Sequence, residues 1–465
     1  MALALAGTVG CRVGEPYERP SLTDRAPEQW RTTPAETAKP TEGPPHLQWW
    51  QRFDDPVLER LIRRAVDDNP TLAEVRERIV EARARRGVAA AKRLPDVEAQ
   101  GRYRYAESGD EAITKPFRQA GRETDVYAVG VPVRWELDLW GRVESLEAAA
   151  ERRIEARQEL WRDAAVSLAA DVSHAYIRIR VLEKRMAVLD EIIAVVEQTL
   201  ELRRSLFEAG AGTELAAARA EQALDRSRAR KPGLRQAKTQ AENRLATLVG
   251  TPPRDTLVPC GDIPRVPTAL GTGIPANLVT RRPDIRAAER EYAAAAARVN
   301  AAKASRYPAV RLGGDFFLAA GQLDSLFNRE TKILSVKPSV AFPLFTGGRL
   351  ENRVAVRTSQ QEQARWRLRQ AVLAAVLEVE NAAAAVVYSA QRRTKRAGAL
   401  ENARRREELT QNAYEAGVGN RLQVLGARRE RLADQDRLLT ARGDALVGIV
   451  QLYRSLGGGW KDKTP

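Results

Sequence analysis

The chain has 465 residues, a formal net charge of +15, and 43% hydrophobic but only 6% aromatic residues. This balance is typical of long helices and argues against a compact enzyme core. The 76 Lys and Arg residues would suit nucleic acid, but Asp and Glu are interleaved with them, which indicates solvated helical faces and no nucleic-acid partner.

The motifs of common enzymes are absent from the sequence. It has no phosphate-binding loop, nucleophile elbow or zinc-protease motif, so we predict no catalytic residue, no cofactor and no metal site. It also has no run of 18 apolar residues, so it predicts no transmembrane helix.

The N-terminus resembles an export signal. Residues 1–10 are apolar and end in small residues, and we interpret them as the remnant of a signal peptide. Cys11 follows, and then a polar, Pro-rich stretch that is typical of an extended tail. A cysteine in this position predicts lipidation, and an incidental thiol is the alternative.

The chain is an internal duplication. Phe207 and Tyr414 begin the same aromatic-Glu-Ala-Gly-x-Gly sequence 207 residues apart, and the Gly-Arg pair at 141–142 recurs at 348–349. The predicted segments are an N-terminal tail with one helix (11–69), repeat 1 (70–250), a linker rich in Pro and Gly (251–282), repeat 2 (283–460) and a short tail (461–465).

Each half predicts the order helix, strand, strand, long helix, Gly break, helix. Residues 142–208 contain neither Pro nor internal Gly, which predicts a helix of roughly 100 Å. Its C-terminal half carries two apolar rows at heptad spacing, so we expect neighbouring helices on two sides. The first row is Leu182, Met186, Leu189, Ile193, Val196, Leu200 and Phe207, and the second is Val181, Val188, Val195 and Leu202.

Gly210 and Gly212, and again Gly417 and Gly419, predict tight reversals, because glycine takes the left-handed conformation at a helix end at little cost. The returning helices are predicted over about 213–249 and 420–456. The helix before the strands and the returning helix of repeat 1 could stack end to end.

Four segments alternate in polarity and predict two hairpins: 97–105, 124–138, 310–319 and 334–344. Four strands cannot close a barrel, and an open sheet edge is forbidden in lipid. If the hairpins span a bilayer, several copies must pool their strands. A small sheet packed on helices in a soluble protein is the alternative.

Several longer motifs resemble the TolC-type outer membrane efflux proteins, and more narrowly the lipoprotein branch that serves resistance-nodulation-division pumps. They are WWQRFDDPVLERLIRRAVDDNPTL (49–72), WELDLWGR (135–142), RRPDIRAAEREYAAAAARVNAAKASRYPAVRL (281–312), FPLFTGGR (342–349) and SLGGGW (455–460). The resemblance implies a mostly α protein with a small β part. Long helical hairpins would form a trimeric periplasmic α-barrel, and a shared 12-stranded β-barrel, with four strands per chain, would span the outer membrane.

The resemblance also implies function and partners. The channel would passively conduct substrates from a periplasmic adaptor and an inner membrane resistance-nodulation-division transporter to the exterior. Lipid on Cys11 would anchor the chain in the outer membrane, from which it would extend into the periplasm. The four break glycines would lie at the periplasmic tip, where the adaptor docks. A type I secretion channel and a soluble periplasmic coiled-coil scaffold are the alternatives.

The sequence departs from the family at the tip. Acidic residues often narrow the channel there, but Gln423 and Gly426 occupy the matching positions, and Arg421 is the charged residue that remains. The constriction would then use Glu214 or Glu415, or would depend on other contacts. The cargo is not indicated.

Overall fold

The computed structural model describes residues 12–21, 31, 48–107, 123–253, 257–266 and 281–458. The helices are α1 (Pro56–Asp68), α2 (Pro70–Ala91), α3 (Arg142–Glu208), α4 (Glu214–Leu248), α5 (Pro283–Ala304), α6 (Arg349–Glu415) and α7 (Arg421–Ser455). The strands are β1 (Asp96–Val97), β2 (Gln100–Glu107), β3 (Glu123–Leu137), β4 (Ala309–Ala320) and β5 (Lys332–Ala341), and short 3-10 turns lie at Trp49–Phe53 and Arg329–Thr331.

The predicted duplication is confirmed element by element. Helices α2 and α5 each have 22 residues, α3 and α6 each have 67, and α4 and α7 each have 35. The chain divides into two compact units: the described residues of Met1–Pro20, Arg78–Arg157 and Ala288–Leu368 form unit 1, and those of Ser21–Glu77, Gln158–Ala287 and Arg369–Pro465 form unit 2.

Unit 1 contains the sheet, which is antiparallel throughout. Its order is β1-β3-β4-β5, and β2 also pairs with β3. The first predicted strand is therefore interrupted, because β1 and β2 are separated at Glu98, whose amide donates to the Pro132 carbonyl at 3.2 Å. Together β1 and β2 occupy one position beside β3, so the sheet is four strands wide.

One predicted strand boundary was wrong. We expected the last strand to reach Leu344, but β5 ends at Ala341, and Phe342 and Leu344 lie beyond it. Pro343 has no amide to donate to a ladder, and Gly347 and Gly348 turn the chain with φ of 60° and 77°.

In unit 2, α3 packs against two helices, as its two apolar rows predict. Val188, Val195 and Val196 share one buried cluster with Leu224 of α4 and Leu432 of α7. Phe207 was expected in the same seam, but its side chain is 45% exposed, because the packed cluster stops before the helix end. Burial of such side chains supplies about 1.5–3 kcal/mol each and dominates this packing.

A ladder of ion pairs accompanies the contact between α3 and α4. Seven-residue steps on α3 place four charged groups beside charges of opposite sign on α4: Glu183 with Lys238, Asp190 with Lys231, Glu197 with Arg228, and Arg204 with Glu221. Exposed pairs of this kind contribute at most about 1 kcal/mol each, so they fix the register of the helices more than they stabilise them.

The ends of α2 and α4 meet, as the expected end-to-end stacking requires. The Asn69 side chain accepts a hydrogen bond from the Leu72 amide at 3.0 Å and donates to the Leu248 carbonyl at 2.9 Å. One amide group therefore starts α2 and satisfies a carbonyl at the end of α4.

Buried Arg282 joins three elements of repeat 2. Its guanidinium donates to Asp284 of α5 at 2.7 Å, to Glu378 of α6 at 2.8 Å and to the Ser455 carbonyl of α7 at 2.7 Å. Burial, and then the charge of Asp284, raise the pKa of nearby Asp163 to about 6.

The sequence predicts no transmembrane helix, but helix α6 is long and apolar enough to be a candidate. It holds an 18-residue window with a mean hydropathy of 1.6, which is enough to cross a membrane by length and composition alone. Exposed apolar side chains on α6 nevertheless follow one helical face, at Trp366, Leu373, Leu377 and Tyr388. This stripe is more typical of a helix that packs against other helices.

Candidate functional site: the two-faced sheet and the hairpin turns

The register of the ladders gives the sheet one apolar face. Phe316 lies between Val131 and Leu334, and Gly314 lies between Val133 and Val336. The other apolar members of this face are Val97, Tyr103, Tyr105, Tyr127, Val129, Trp135, Leu137, Val310, Leu312, Leu318, Ala320, Pro338 and Val340. Leu334, Val336 and Val340 are 77%, 68% and 69% exposed, so this face has no protein cover within the described chain.

The opposite face is mostly polar, although Phe317 and Ile333 also lie on it. It carries Asp96, Arg102, Arg104, Arg134, Glu136, Arg311, Asp315 and Lys337. Asp315 accepts hydrogen bonds from Ser335 at 3.0 Å and from Lys337 at 2.5 Å. One largely apolar and one largely polar face are typical of a strand set that separates lipid from water.

Aromatic residues mark both ends of the apolar face. Tyr103 and Tyr127 lie at one end with ring centroids 5.0 Å apart, and Trp135 lies at the other. Tyr127 and Trp135 are eight residues apart on β3, which corresponds to about 27 Å. That length is close to the apolar band of about 25 Å between the aromatic girdles of outer membrane barrels.

The sheet has two free edges among the described strands. β5 pairs only with β4, and β1 and β2 pair only with β3. Both edges therefore present backbone amide and carbonyl groups that need partners from outside the chain.

The two turns that connect α3 to α4 and α6 to α7 are built the same way. Gly210 has φ of 71°, its amide donates to the Phe207 carbonyl, and the Ala211 amide donates to the Leu206 carbonyl. Gly417 has φ of 73°, and the equivalent bonds run from its amide to Tyr414 and from Val418 to Ala413. Each is a Schellman motif, which requires a left-handed residue at this position.

The second glycine of each break has a different role. Gly212 and Gly419 do not have a positive φ, but a Cβ on Gly212 would lie 3.1 Å from backbone atoms of Leu206 and Phe207. On Gly419 it would lie 3.2 Å from the Tyr414 amide nitrogen. The first glycine is thus needed for its conformation and the second for close approach of the backbone.

Gln423 belongs to the N-terminal cap of α7. Asn420 and Gln423 form a capping box: the Gln423 side chain accepts from the Asn420 amide at 2.9 Å, and the Asn420 side chain accepts from the Gln423 amide at 3.0 Å. Sequence reasoning missed this motif, although the Asn-x-x-Gln spacing was its visible signal.

The other constriction candidates are all near the turns. The Arg421 guanidinium lies 6.0 Å from the centre of the Tyr414 ring, and a Cβ on Gly426 would meet no atom within 4 Å. Glu214 is the first residue of α4, where Thr213 supplies the cap, and Glu415 accepts from Gln411 at 2.7 Å. Which of them narrows a channel stays a prediction.

Cys11 lies outside the described residues, but the segment after it is held firmly in unit 1. Arg12 pairs with Glu144 at 3.4 Å, and the Val13 amide donates to the Trp140 carbonyl at 3.2 Å. Tyr17 donates to Glu289 at 2.5 Å, and burial together with this bond raises its pKa. Residue 12 is therefore fixed beside the start of α3, just after β3 ends.

These features define a channel wall: one compact unit holds a sheet with a lipid-type face and a water-type face, and the other holds long paired helices. Comparison with known proteins agrees. The profile of the family described as "Outer membrane efflux protein" matches residues 61–251 and 274–458. The chain is 30% identical to outer membrane protein OprJ of Pseudomonas aeruginosa, over 99% of this chain and 96% of OprJ.

Two further proteins agree with this result. The chain is 30% identical to the toluene efflux pump outer membrane protein TtgF of Pseudomonas putida, over 97% of this chain and 94% of TtgF. The solved structure of the outer-membrane channel OprN matches with a TM-score of 0.87 at 30% identity, over 97% of this chain and 100% of that chain.

The chain belongs to the outer membrane efflux protein family. It is the outer membrane channel component of an efflux pump and extends into the periplasm, so its function is transport and not catalysis.

The two left-handed glycines give a direct test of the turns. We expect Gly210→Ala and Gly417→Ala each to destabilise the protein by about 1–2 kcal/mol, because an L-residue is strained at positive φ. Thermal unfolding in detergent, followed by circular dichroism, measures the change. Gly233→Ala is the matched control: this glycine lies inside α4 with open space around it, so alanine should stabilise by about 1 kcal/mol. Equal tolerance at all three positions would contradict the turn geometry.

Proposed function

We propose that three copies of the chain close a twelve-stranded barrel in the outer membrane and a continuous periplasmic tunnel of helices. The two-faced sheet with two free edges carries this proposal. In lipid each unpaired backbone group costs several kcal/mol, so β5 of one copy must pair with the first strand of the next. Three copies of a sheet four strands wide supply twelve strands, which is an even number above the minimum of about eight.

The exposed stripe on α6 supports assembly with further copies of the chain. Trp366, Leu373, Leu377 and Tyr388 are 56–61% exposed and share one face of the helix. A contiguous apolar stripe of this size is typical of an interface. A neighbouring copy that continues the ring of helices would cover it.

The hairpin turns are the proposed docking surface for a periplasmic adaptor, which connects the channel to an inner membrane transporter of the resistance-nodulation-division class. Apolar side chains are exposed at both turns: Phe207 and Leu215 at the first, and Val418 at the second, where it is 84% exposed. The chain itself conducts passively, and the transporter supplies the energy.

Lipid on Cys11 is the proposed anchor. Arg12 is held at the junction of β3 and α3, close to the end of the apolar band of the sheet. An acyl chain there could enter the periplasmic leaflet directly. Insertion of acyl chains contributes about 0.8 kcal/mol per buried CH₂.

The anchor can be tested with the two cysteines of the chain. We expect labelled palmitate to be incorporated into the wild-type protein and into Cys260→Ser, and to be lost in Cys11→Ser. Cys260 is a free, exposed thiol and serves as the matched control. Label retained in Cys11→Ser but lost in Cys260→Ser would contradict the anchor.

The tip can be tested by adding carboxylates. We expect Gln423→Glu with Gly426→Asp to increase block of the conductance by a trivalent cation such as La³⁺, measured in planar lipid bilayers. Three copies would place carboxylates in a ring that attracts cations. Glutamate suits the capping box at position 423, and position 426 has room for a side chain, so the variant should fold.

The matched control places the same residue types elsewhere. Gly233→Asp with Gln236→Glu adds the same two carboxylates, at the same spacing along the helix, to an exposed part of α4. Block that is unchanged at the turn, or increased equally by the control, would show that residues 423 and 426 do not line the narrow part of the channel.

A further inference from the structure

A cavity of about 470 Å³ lies in unit 1 where the strands meet the long helices. The ends of β3, β4 and β5 and the first residues of α3 and α6 line it. Three of its lining residues are Arg311, Arg349 and Arg353, which come from two elements of repeat 2.

The charges in this cavity are unequal. Glu136 also lines it, but its carboxylate accepts from Arg142 at 2.8 Å. Asp138 accepts from the Glu144 amide at 2.7 Å and keeps its charge, so the lining holds four arginines against two carboxylates. Among the residues that the structure describes, no carboxylate lies within ion-pair distance of Arg311, Arg349 or Arg353. Three guanidinium groups therefore share one cavity, and within the described part of the chain none of them is paired with a carboxylate.

The cavity opens on the charged face of the sheet. Arg311 and Ala309 on β4, Glu136 on β3 and Ala341 on β5 all point to that face by the register of the ladders. The same face continues with Arg102 and Arg104 on β2, for which the described residues offer no ion pair. Counted over the described strand residues, this face carries five basic and three acidic side chains.

We propose that these arginines form an anion-binding zone on the wall of the channel, and that this zone makes the strand-lined part of the path favour anions over cations. The proposal rests on the proposed function, because the charged face borders the water path only if the apolar face meets lipid. Three copies would repeat the cavity three times around one path.

The chemistry of the cavity indicates the class of solute. A guanidinium presents a planar fork of donors that matches the two oxygens of a carboxylate or phosphate group. Clefts of one charge sign raise the local concentration of counter-ions by a factor of 10 or more. Exported molecules that carry carboxylate or phosphate groups are therefore the expected ligands, and they would bind reversibly as they pass.

The preference of the channel for anions over cations can be measured directly. The full-length protein is reconstituted in planar lipid bilayers, and the reversal potential is recorded across a tenfold gradient of KCl and then of potassium acetate. For the wild type we expect both anions to be favoured over potassium, with a permeability ratio of roughly 3 for chloride. In Arg311→Gln with Arg353→Gln the ratio should fall towards 1.

The control removes the same charge from another place. Arg63→Gln with Arg64→Gln neutralises two exposed arginines of α1 that pair with Glu59 and Asp68. It should keep the wild-type ratio. If the ratio is unchanged in Arg311→Gln with Arg353→Gln, or falls equally in the control, the proposed anion-binding zone is wrong. That result would not contradict the proposed channel function. A wild-type protein with no conductance would contradict the proposed function and this inference with it.

Discussion

The pairing of backbone amide and carbonyl groups at the two edges of the sheet is the constraint on which the rest of the structure depends. A sheet four strands wide with one exposed apolar face cannot satisfy those groups in lipid. It can do so only if β5 meets the first strand of another copy. The exposed stripe on α6, the fixed level of Arg12 and the long helical pairs then all belong to one closed assembly.

The helices follow from a duplicated pattern with two unequal turns. Both turns are Schellman motifs, but Thr213 alone caps α4, whereas Asn420 and Gln423 cap α7 together. The second turn thus uses the side chain of Gln423 for local stability. A glutamate at position 423 would keep the capping box and would also add a carboxylate at the turn. The Gln423→Glu change therefore tests the constriction without removing the cap.

Much of this fold could be predicted from the sequence because its signals are local. The absence of Pro and internal Gly over 142–208 gave both ends of α3, and the glycine pairs gave both turns. The sequence places the end of β5 too late, because apolar residues continue to alternate at Phe342 and Leu344. The ladder ends at Ala341, before Pro343 and the two glycines. The Arg311, Arg349 and Arg353 cavity could not be predicted, because only the ladder register brings β4 beside the start of α6. The bond from Tyr17 to Glu289 joins residues 272 apart and likewise has no local signal.

Closure by three copies is the central claim, and the mass of the intact assembly tests it most directly. Native mass spectrometry of the protein extracted from outer membranes in mild detergent should give three chains of about 51.5 kDa, less any removed signal residues and plus any attached lipid. A monomer or a dimer as the largest stable species would leave the sheet edges unpaired in lipid, and would contradict the account.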